Sequence, residues 1–491
     1  PLLVVGVADG MAGQIGRNVA SFFDIVPDGS VTGILSVLVF GAGTNYALLI
    51  IARYREELLL FSDRHEAMAR AVKGAGPAII ASGGTVVLAL LTLTLAELGG
   101  NRALGIVCAS GIVVAMISAL GVLPAALVVF GRGLFWPFVP RFGGVNKSDT
   151  GWWAKLGTGV SKRPITVAVV GVALLGSLAL GSTGINIGLS ETEQFRVKPE
   201  AVIGIEVLAE AFPAGSSAPT QVVANNDQAD AVVSAALTVD RVASAEVINF
   251  NDTQSRIDVV LDAEGRSDEA YSAIVDLRAA VSAVPGADAL VGGDDATNLA
   301  VKQAYERDQL LVIPLILILV FIVLVILLRA LLAPILLLSS VVLSFFAAMG
   351  AAWLIFENVL GISGLDFSVF LYSFLFLVAL GVDYNIFLVS RAREESAALA
   401  GKVSQPTRQG MIKALGATGG VITSAGVLLA AVFAVLGVLP LLALFQIGII
   451  VGIGVLIDTL LVRTVVVPAA AFIAGDKFWW PRKKLTVGKF A

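Results

Sequence analysis

The chain has 491 residues, of which 57% are hydrophobic and only 14% are charged, and its formal net charge is −4. A soluble domain carries about 25% charged residues, so this composition indicates a membrane protein. One cysteine and one histidine supply neither a disulfide framework nor a ligand set for zinc or haem. The sequence shows no nucleophile–base constellation and no phosphate-binding loop. We therefore expect no metal, no cofactor, no nucleic-acid partner and no enzyme activity.

Ten apolar runs are long enough to cross about 30 Å of hydrocarbon at about 1.5 Å per residue. They lie near 1–23, 32–53, 76–96, 103–131, 164–183, 309–329, 332–356, 367–390, 415–437 and 440–473. Asp9 and Arg17 interrupt the first run, which is therefore also compatible with an interfacial segment. The runs together predict a polytopic α-helical membrane protein.

Residues 184–308 contain no run that could span a membrane. Period-two apolar segments alternate there with helical ones in the order strand, helix, strand, strand, helix, strand. The segments are TQVVANN, DQADAVVSAALT, VASAEVINF, SRIDVVLDA, SDEAYSAIVDLRAAVSA and ADALVGG. This order predicts a ferredoxin-like βαββαβ domain, an α+β module inserted between two spans.

Charge distinguishes the two sides of the membrane. Residues 184–308 contain 21 acidic and 8 basic residues, a net charge of −13, which leaves +9 for the rest of the chain. Basic residues gather in 53–73, 132–163, 391–413 and 477–489. Under the positive-inside rule these four segments are cytoplasmic, so the acidic domain is expected to be extracytoplasmic.

These patterns predict six regions along the chain. They are a first group of transmembrane helices (1–131), a cytoplasmic or interfacial linker (132–163), a single span (164–183), the extracytoplasmic domain (184–308), a second group of transmembrane helices (309–473) and a basic cytoplasmic tail (474–491).

The two transmembrane groups contain related sequences. GAGTNYALLIIARYREEL (41–58) and ALGVDYNIFLVSRAREES (379–396) align at a constant offset of 338 residues, and ASGG (81–84) aligns with TSAG (423–426). Both long motifs contain Arg-x-Arg-Glu-Glu after the apolar stretch. Repeats in the same orientation predict two pseudo-symmetric halves related by an axis along the membrane normal, a pattern typical of transporters.

Asp383 is a carboxylate in the middle of the second motif, and Asn45 takes its place in the first. Asp383 lies eight residues before Arg391, which puts it about 12 Å deep if Arg391 marks the cytoplasmic interface. A charged carboxylate at that depth costs roughly 2.5–3.5 kcal/mol. Burial favours the protonated form, so this group could bind and release a proton.

The alternative for Asp383 is a static polar residue that fixes helix packing through hydrogen bonds. Candidate partners for such bonds are Tyr384, Thr423 and Ser424. Asn45 cannot titrate, but its amide could bond to either protonation state of Asp383 if the two spans face each other. Alternatively, Asn45 only fills the symmetric position.

Asp458 and Arg463 in the last span have apolar counterparts in the first half. They are five residues apart and therefore do not share one face of an α-helix well. We expect a structural ion pair or an anchor at the cytoplasmic end rather than a second proton relay.

Several motifs carry a resemblance to a known family. GVDYNIFLVSRAREE, GATGGVITSAG and GVLIDTLLVRTVVVPA resemble the second half of the MMPL branch of the resistance-nodulation-division (RND) transporters of actinobacteria. GAGTNYALLIIARYREEL resembles the first-half version. The resemblance implies twelve spans in two halves, each with an extracytoplasmic porter domain after its first span. It also implies that this chain begins at the third span, so that the first two spans and the first porter domain are missing.

The resemblance further implies a function and a site. Members of the family are proton-driven exporters of lipids or other hydrophobic molecules, and their Asp-Tyr pairs form the proton relay. That role falls here on Asp383 and Tyr384, with Asn45 and Tyr46 in the first half. Polar residues expected beside the relay are Ser82, Thr423, Ser424 and Asp458.

The implied partners are protons, membrane lipids and a hydrophobic substrate. The implied protein is a multi-pass protein of the cell membrane, acting as a monomer or a trimer. The alternative is a sterol-sensing, Patched-like or SecDF-like accessory membrane protein with the same architecture.

Overall fold

The computed structural model describes residues 1–137, 139–143, 151–189, 193, 199–212 and 214–481. Its helices are α1 (Leu2–Phe22), α2 (Gly29–Leu60), α3 (Arg64–Leu91), α4 (Gly99–Ile117), α5 (Leu123–Phe130), α6 (Trp152–Lys162), α7 (Pro164–Leu180), α8 (Glu200–Ala211), α9 (Ala229–Ala236), α10 (Asp268–Ser282), α11 (Asp294–Leu328), α12 (Leu332–Asn358), α13 (Phe367–Leu399), α14 (Pro406–Ala434), α15 (Leu442–Ile457) and α16 (Val467–Ala474). Its strands are β1 (Thr220–Asn225), β2 (Val242–Phe250), β3 (Gln254–Leu261) and β4 (Leu290–Gly292). Parts of the predicted linker (138 and 144–150) and of the predicted basic tail (482–491) lie outside the described residues.

Nine helical segments in the described ranges are long and apolar enough to cross a membrane. They comprise α2, α3, α4 with α5, α7, α11, α12, α13, α14, and α15 with α16. The first predicted run is not among them, but α1 is a continuous helix that packs against α2 and α4. Helices are the expected solution, because a helix satisfies its backbone hydrogen bonds internally where no water is present. The chain is a multi-pass helical membrane protein.

The predicted ferredoxin-like domain is confirmed. Its four strands form one sheet in the order β2-β3-β1-β4, and every neighbouring pair is antiparallel. Alternation along the strands buries Val222, Ile257 and Val259 in a separate hydrophobic core, to which α9 and α10 also contribute. The period-two apolar pattern of these strands therefore predicted both their existence and their inward face.

The helix α11 joins this domain to the membrane without a loop. β4 ends at Gly292 and α11 begins at Asp294. Gly293 between them has φ of 99°, and a Cβ there would lie 3.2 Å from the backbone nitrogen of Gln221, so this tight connection requires glycine. The 35 residues of α11 make a rod of about 52 Å. The predicted boundary between 308 and 309 lies inside this helix.

The two transmembrane groups share local structure as well as sequence. α2 begins after Asp28, which caps the Val31 N–H, and α13 begins after Asp366, which caps the Ser368 N–H. The last helices of both groups also pass through a π-helical segment, at Ser118–Val122 and at Asp458–Val466. These features accompany the sequence repeat, while the pseudo-symmetry of two complete halves stays a prediction.

Candidate functional site

Asp383 lies in the middle of α13, a helix whose side chains from 368 to 389 are almost all buried. Its side chain is 1% exposed. At the predicted cytoplasmic end of the same helix, Arg391 forms ion pairs with Glu394 at 3.2 Å and Glu395 at 2.9 Å. A helix that is apolar and buried on every side occupies the centre of its bundle. Asp383 is therefore a carboxyl surrounded by protein.

Two side chains from the first group face Asp383. They are Tyr46 of α2 and Ser82 of α3, and both are fully buried. A Cβ at Gly83 would lie 3.0 Å from the Tyr46 hydroxyl and closer still to Met116 of α4, so the glycine makes room for both side chains. The Ser82 hydroxyl lies within interaction range of both the Asp383 carboxyl and the Tyr46 hydroxyl, but none of these oxygens forms a well-aligned hydrogen bond among the described residues. Buried polar atoms without partners are costly and rare, so this cluster requires a functional explanation.

Asn45 is buried in α2, with 5% exposure. No hydrogen bond joins its amide to Asp383, because both carboxyl oxygens are without partners in the described structure. α2 and α13 each pack against both α3 and α14. Tyr46 and Ser82, rather than Asn45, are thus the residues of the first group that interact with the carboxyl.

A second buried polar cluster contacts α13 at the neighbouring residue. The guanidinium carbon of Arg463 lies 5.0 Å from the centroid of the Tyr384 ring. A Cβ at Gly381 would lie 3.7 Å from Oδ2 of Asp458. Asp458 and Arg463 are each 2% exposed, and both belong to the π-helical segment. A π-helix bonds residues five apart, so both side chains reach α13. The expectation that they do not share a face assumed α-helical geometry and is wrong. The expected ion pair is not formed either, because the carboxyl oxygens of Asp458 and the terminal nitrogens of Arg463 have no hydrogen-bond partners among the described residues.

The remaining predicted residues differ in their surroundings. The Thr423 hydroxyl is buried without a partner among the described residues. Ser424 is exposed and donates to the Val421 carbonyl at 2.7 Å, so it does not reach the cluster. The sequence reasoning did not single out Asn385, which is fully buried with both amide atoms unpartnered, or Thr459. An amide inside the apolar motif GVDYNIF was the available signal for Asn385.

Two cavities lie toward opposite ends of α13, on either side of Asp383. One, of about 150 Å³, lies between α2, α3, α13 and α14 and is lined by Phe387, one turn beyond Asp383, and by Arg391. The other, of about 120 Å³, is lined by Asp366 and Tyr372 near the start of α13. The buried carboxyl thus lies along the helix between two spaces that contain polar groups.

Comparisons with known proteins identify relatives over nearly the whole chain. The profile of the MMPL family matches residues 1–167 and 206–490. The chain is 44% identical over 449 residues to the putative membrane protein ActII-3 of Streptomyces coelicolor, covering 91% of this chain and 62% of that protein. It is 36% identical over 512 residues to the apo-petrobactin exporter of Bacillus anthracis, covering 98% and 68%. It is 41% identical over 181 residues to the acyltrehalose exporter MmpL10 of Mycobacterium tuberculosis, covering 37% and 17%.

Among solved structures, SecDF from Thermus thermophilus, a translocon-associated membrane protein, is similar with a TM-score of 0.57. The sequence identity is 14%, and the match covers 96% of this chain and 59% of that one. At this identity the likeness shows the fold alone. The exporters among the relatives are transport proteins rather than enzymes. The chain spans about three fifths of the length of the first relatives, 62% and 65%.

Proposed function

Because this chain belongs to the MMPL family, we propose that it forms part of a proton-driven exporter of lipids or other hydrophobic molecules. The observation that carries this proposal is the state of Asp383. This carboxyl is 1% exposed, and in the described part of the chain neither of its oxygens forms a well-aligned hydrogen bond, although Ser82 lies within interaction range. Ionisable groups inside a membrane bundle are expensive and are retained chiefly for ion or proton movement.

Proton binding is the chemistry that best suits this carboxyl. When protonated, Asp383 is neutral and its presence in an apolar helix costs little. When ionised, it needs donors, and the hydroxyls of Tyr46 and Ser82 are the nearest groups able to supply them. The two protonation states therefore favour different arrangements of α13 against α2 and α3. A proton that enters from one cavity and leaves through the other would switch between these arrangements.

The membrane potential supplies the driving force in this proposal. One elementary charge crossing the membrane releases about 2.3 kcal/mol per 100 mV, to which a pH gradient adds. The domain that contains β1–β4 lies outside the cell in this arrangement, because the basic segments are retained on the cytoplasmic side. Proton entry from outside would then drive substrate outward.

The substrate class rests on the relatives. One is an exporter of acyltrehalose and another an exporter of apo-petrobactin, so a hydrophobic or amphipathic small molecule is the shared expectation. The likeness to SecDF concerns the fold alone and does not favour an accessory role in protein translocation.

The test is proton-driven efflux from vesicles that contain the full-length protein. The lipids that co-purify with the protein are identified by mass spectrometry, and the most abundant one is used as the transported probe. Asp383→Asn should abolish efflux and leave expression and folding intact. It should also remove a protonated-carboxyl band that changes with pH in infrared difference spectra. Tyr384→Phe should weaken efflux less, because Tyr384 lies on the Arg463 side of α13.

Asp63→Asn is the matched control. Asp63 is an exposed cap of α3, remote from the cluster, so the same chemical change there should leave efflux unchanged. Near-normal gradient-driven efflux by Asp383→Asn would show that the relay assignment is wrong.

A further inference from the structure

A buried hydrogen-bonded chain joins three helices at the end of the bundle nearest the α+β domain. Asn101 of α4 donates through Nδ2 to Oδ2 of Asp308 in α11 at 2.8 Å. The Tyr372 hydroxyl of α13 donates to Oδ1 of Asn101 at 2.6 Å. The other oxygen of Asp308 accepts the Glu97 N–H at 2.8 Å. Asp308 is 1% exposed and Asn101 is fully buried. We call Asp308, Asn101 and Tyr372 the Asp308 chain.

Both carboxyl oxygens of Asp308 and both amide atoms of Asn101 have a defined partner, and the Tyr372 hydroxyl also interacts with Tyr305 of α11. The amide of Asn101 can be oriented in only one way, because its nitrogen must face the carboxylate and its oxygen must face the phenol. The bonds connect residues more than 200 positions apart, so they hold separate elements of the fold together. If one helix moves alone, it leaves a buried donor or acceptor without a partner, which is costly.

Tyr372 lies on the same face of α13 as Asp383. The two residues are eleven positions apart, which is about three helical turns or roughly 16 Å. Tyr372 contacts Asn101, and Asp383 faces Tyr46 and Ser82. Both therefore point toward the first group of helices. A rotation or shift of α13 caused at Asp383 must also move the Tyr372 hydroxyl.

The α+β domain contacts two helices of this connection, α11 and α13. It continues into α11, which carries Asp308, through the single residue Gly293. It also touches the start of α13, where Phe367 packs against the domain core. Just before that helix, Leu365 exchanges two backbone hydrogen bonds of 2.8 Å with the strand-like segment at Asn186 and Gly188.

The Tyr372 hydrogen bond lies on α13, the helix that carries Asp383, and the aligned helix α2 has no equivalent residue. At the offset of 338, the counterpart of Asp383 is Asn45 and the counterpart of Tyr372 is Ile34. Ile34 can form no equivalent bond. A hydrogen bond that served only to close the end of the bundle could occur on α2 as well as on α13. It occurs on α13, the helix that carries the carboxyl.

We propose that Asp308, Asn101 and Tyr372 are positioning residues that transmit the protonation state of Asp383 to the α+β domain. This inference deepens the function proposed above and rests on it. Charge at Asp383 shifts α13, Tyr372 moves with it, Asn101 follows to keep its bond, and Asp308 carries the movement into α11. The domain then changes its position relative to the membrane in step with proton binding.

Hydrogen–deuterium exchange of the full-length protein tests the proposal, in nanodiscs of phosphatidylethanolamine and phosphatidylglycerol. The variants are Asp383→Asn, Tyr372→Phe and the two combined. Asp383→Asn, a permanently neutral form, should change exchange at 294–308 several-fold relative to the wild type. When Asp383→Asn is combined with Tyr372→Phe, hydrogen–deuterium exchange should still change around Ser82. It should no longer change at residues 294–308. Asp308→Asn should interrupt the transmission in the same way.

The control and the infrared measurement separate this inference from the proposed function. Tyr54→Phe removes a buried hydroxyl that has no hydrogen-bond partner in the described structure, so transmission should survive it. Tyr372→Phe should keep the pH-dependent carboxyl band of Asp383. If Asp383→Asn leaves 294–308 unchanged, or changes it equally with and without Tyr372, the inference is overturned while the relay stands. If the wild type shows no pH-dependent band from Asp383, the proposed function fails and the inference falls with it.

Discussion

The buried pair Asp458 and Arg463 gives the sharpest stability prediction. Both side chains are 2% exposed, and the π-helical segment directs both toward α13. Asp458→Asn would remove the negative charge and leave a guanidinium buried with no compensating carboxylate. The two side chains form no direct ion pair in the described structure, because the oxygens of Asp458 and the terminal nitrogens of Arg463 have no hydrogen-bond partners. They interact electrostatically at longer range, so the cost should fall below the about 3–5 kcal/mol of a directly bonded buried ion pair. We expect a loss of unfolding free energy of about 0.5–3 kcal/mol, the range of interaction energies between coupled residues.

The reverse substitution should cost less. Arg463→Gln leaves Asp458 as the unpaired group, and a carboxyl can become neutral by taking up a proton, whereas a guanidinium cannot lose one. The double variant Asp458→Asn with Arg463→Gln contains no buried charge at this site and should recover most of the loss. The coupling between the two positions should be of the same size, about 0.5–3 kcal/mol, because the two charges interact without a direct bond.

The assay is reversible unfolding of the full-length protein in mixed micelles, titrated with a denaturing detergent and followed by tryptophan fluorescence. Equal losses for the double variant and for the sum of the single variants would refute the pairing. Efflux measured on the same samples decides the role of Asp458. If the double variant regains stability and still transports, the pair is structural. If stability returns and transport does not, Asp458 belongs to the relay.

Three further predictions concern the relay, the packing and the orientation. Asn45→Asp should be tolerated, but it adds a second acid near Asp383, so the pH profile of efflux should broaden or shift; an unchanged profile would place position 45 outside the relay. A Cβ at Gly426 would collide with the Thr459 side chain, so Gly426→Ala should cost about 1–3 kcal/mol in the detergent titration. Thr459→Ala should recover only part of this cost, because the Cβ of residue 459 would still lie 2.9 Å from the added carbon. Gly84→Ala, with no atom within 4 Å of the added carbon, should be neutral or slightly stabilising. A cysteine placed at 258 should react with impermeant maleimide only from outside the cell, and labelling only from the cytoplasm would reverse the predicted orientation.

Local patterns predicted the elements of the α+β domain closely. VASAEVINF, read as a strand from its sequence, is β2 as observed. Its neighbour β3 was also predicted within two residues at either end. Strand alternation and turn residues are encoded over a few positions, and the antiparallel order follows from βαββαβ connectivity. The length and hydropathy of the spans were likewise readable, because a bilayer imposes a minimum length on any crossing helix.

The sequence did not predict the structural features that depend on helix geometry. A π-helical segment has no residue pattern distinct from an α-helix, so the shared orientation of Asp458 and Arg463 could not be anticipated. Continuity of α11 through the predicted boundary at 308 was hidden by its change from polar to apolar residues. The bond between Asn101 and Asp308 joins positions 207 apart, which no local pattern can indicate.

The difference between the two motifs limits the number of protons that the aligned residues 45 and 383 can carry. α13 carries a carboxyl at 383, whereas α2 carries an amide at 45, so the aligned pair offers one titratable group. If that group alone carries the protons and one substrate molecule leaves per cycle, each cycle moves one proton. One proton supplies about 2.3 kcal/mol per 100 mV of membrane potential, which sustains a substrate ratio of roughly 40-fold because about 1.4 kcal/mol corresponds to tenfold. A second carboxyl at position 45 could square that ratio only if both protons were coupled to the same domain movement. The Tyr372 bond exists on α13 alone, so we expect the second proton to add leak rather than driving force.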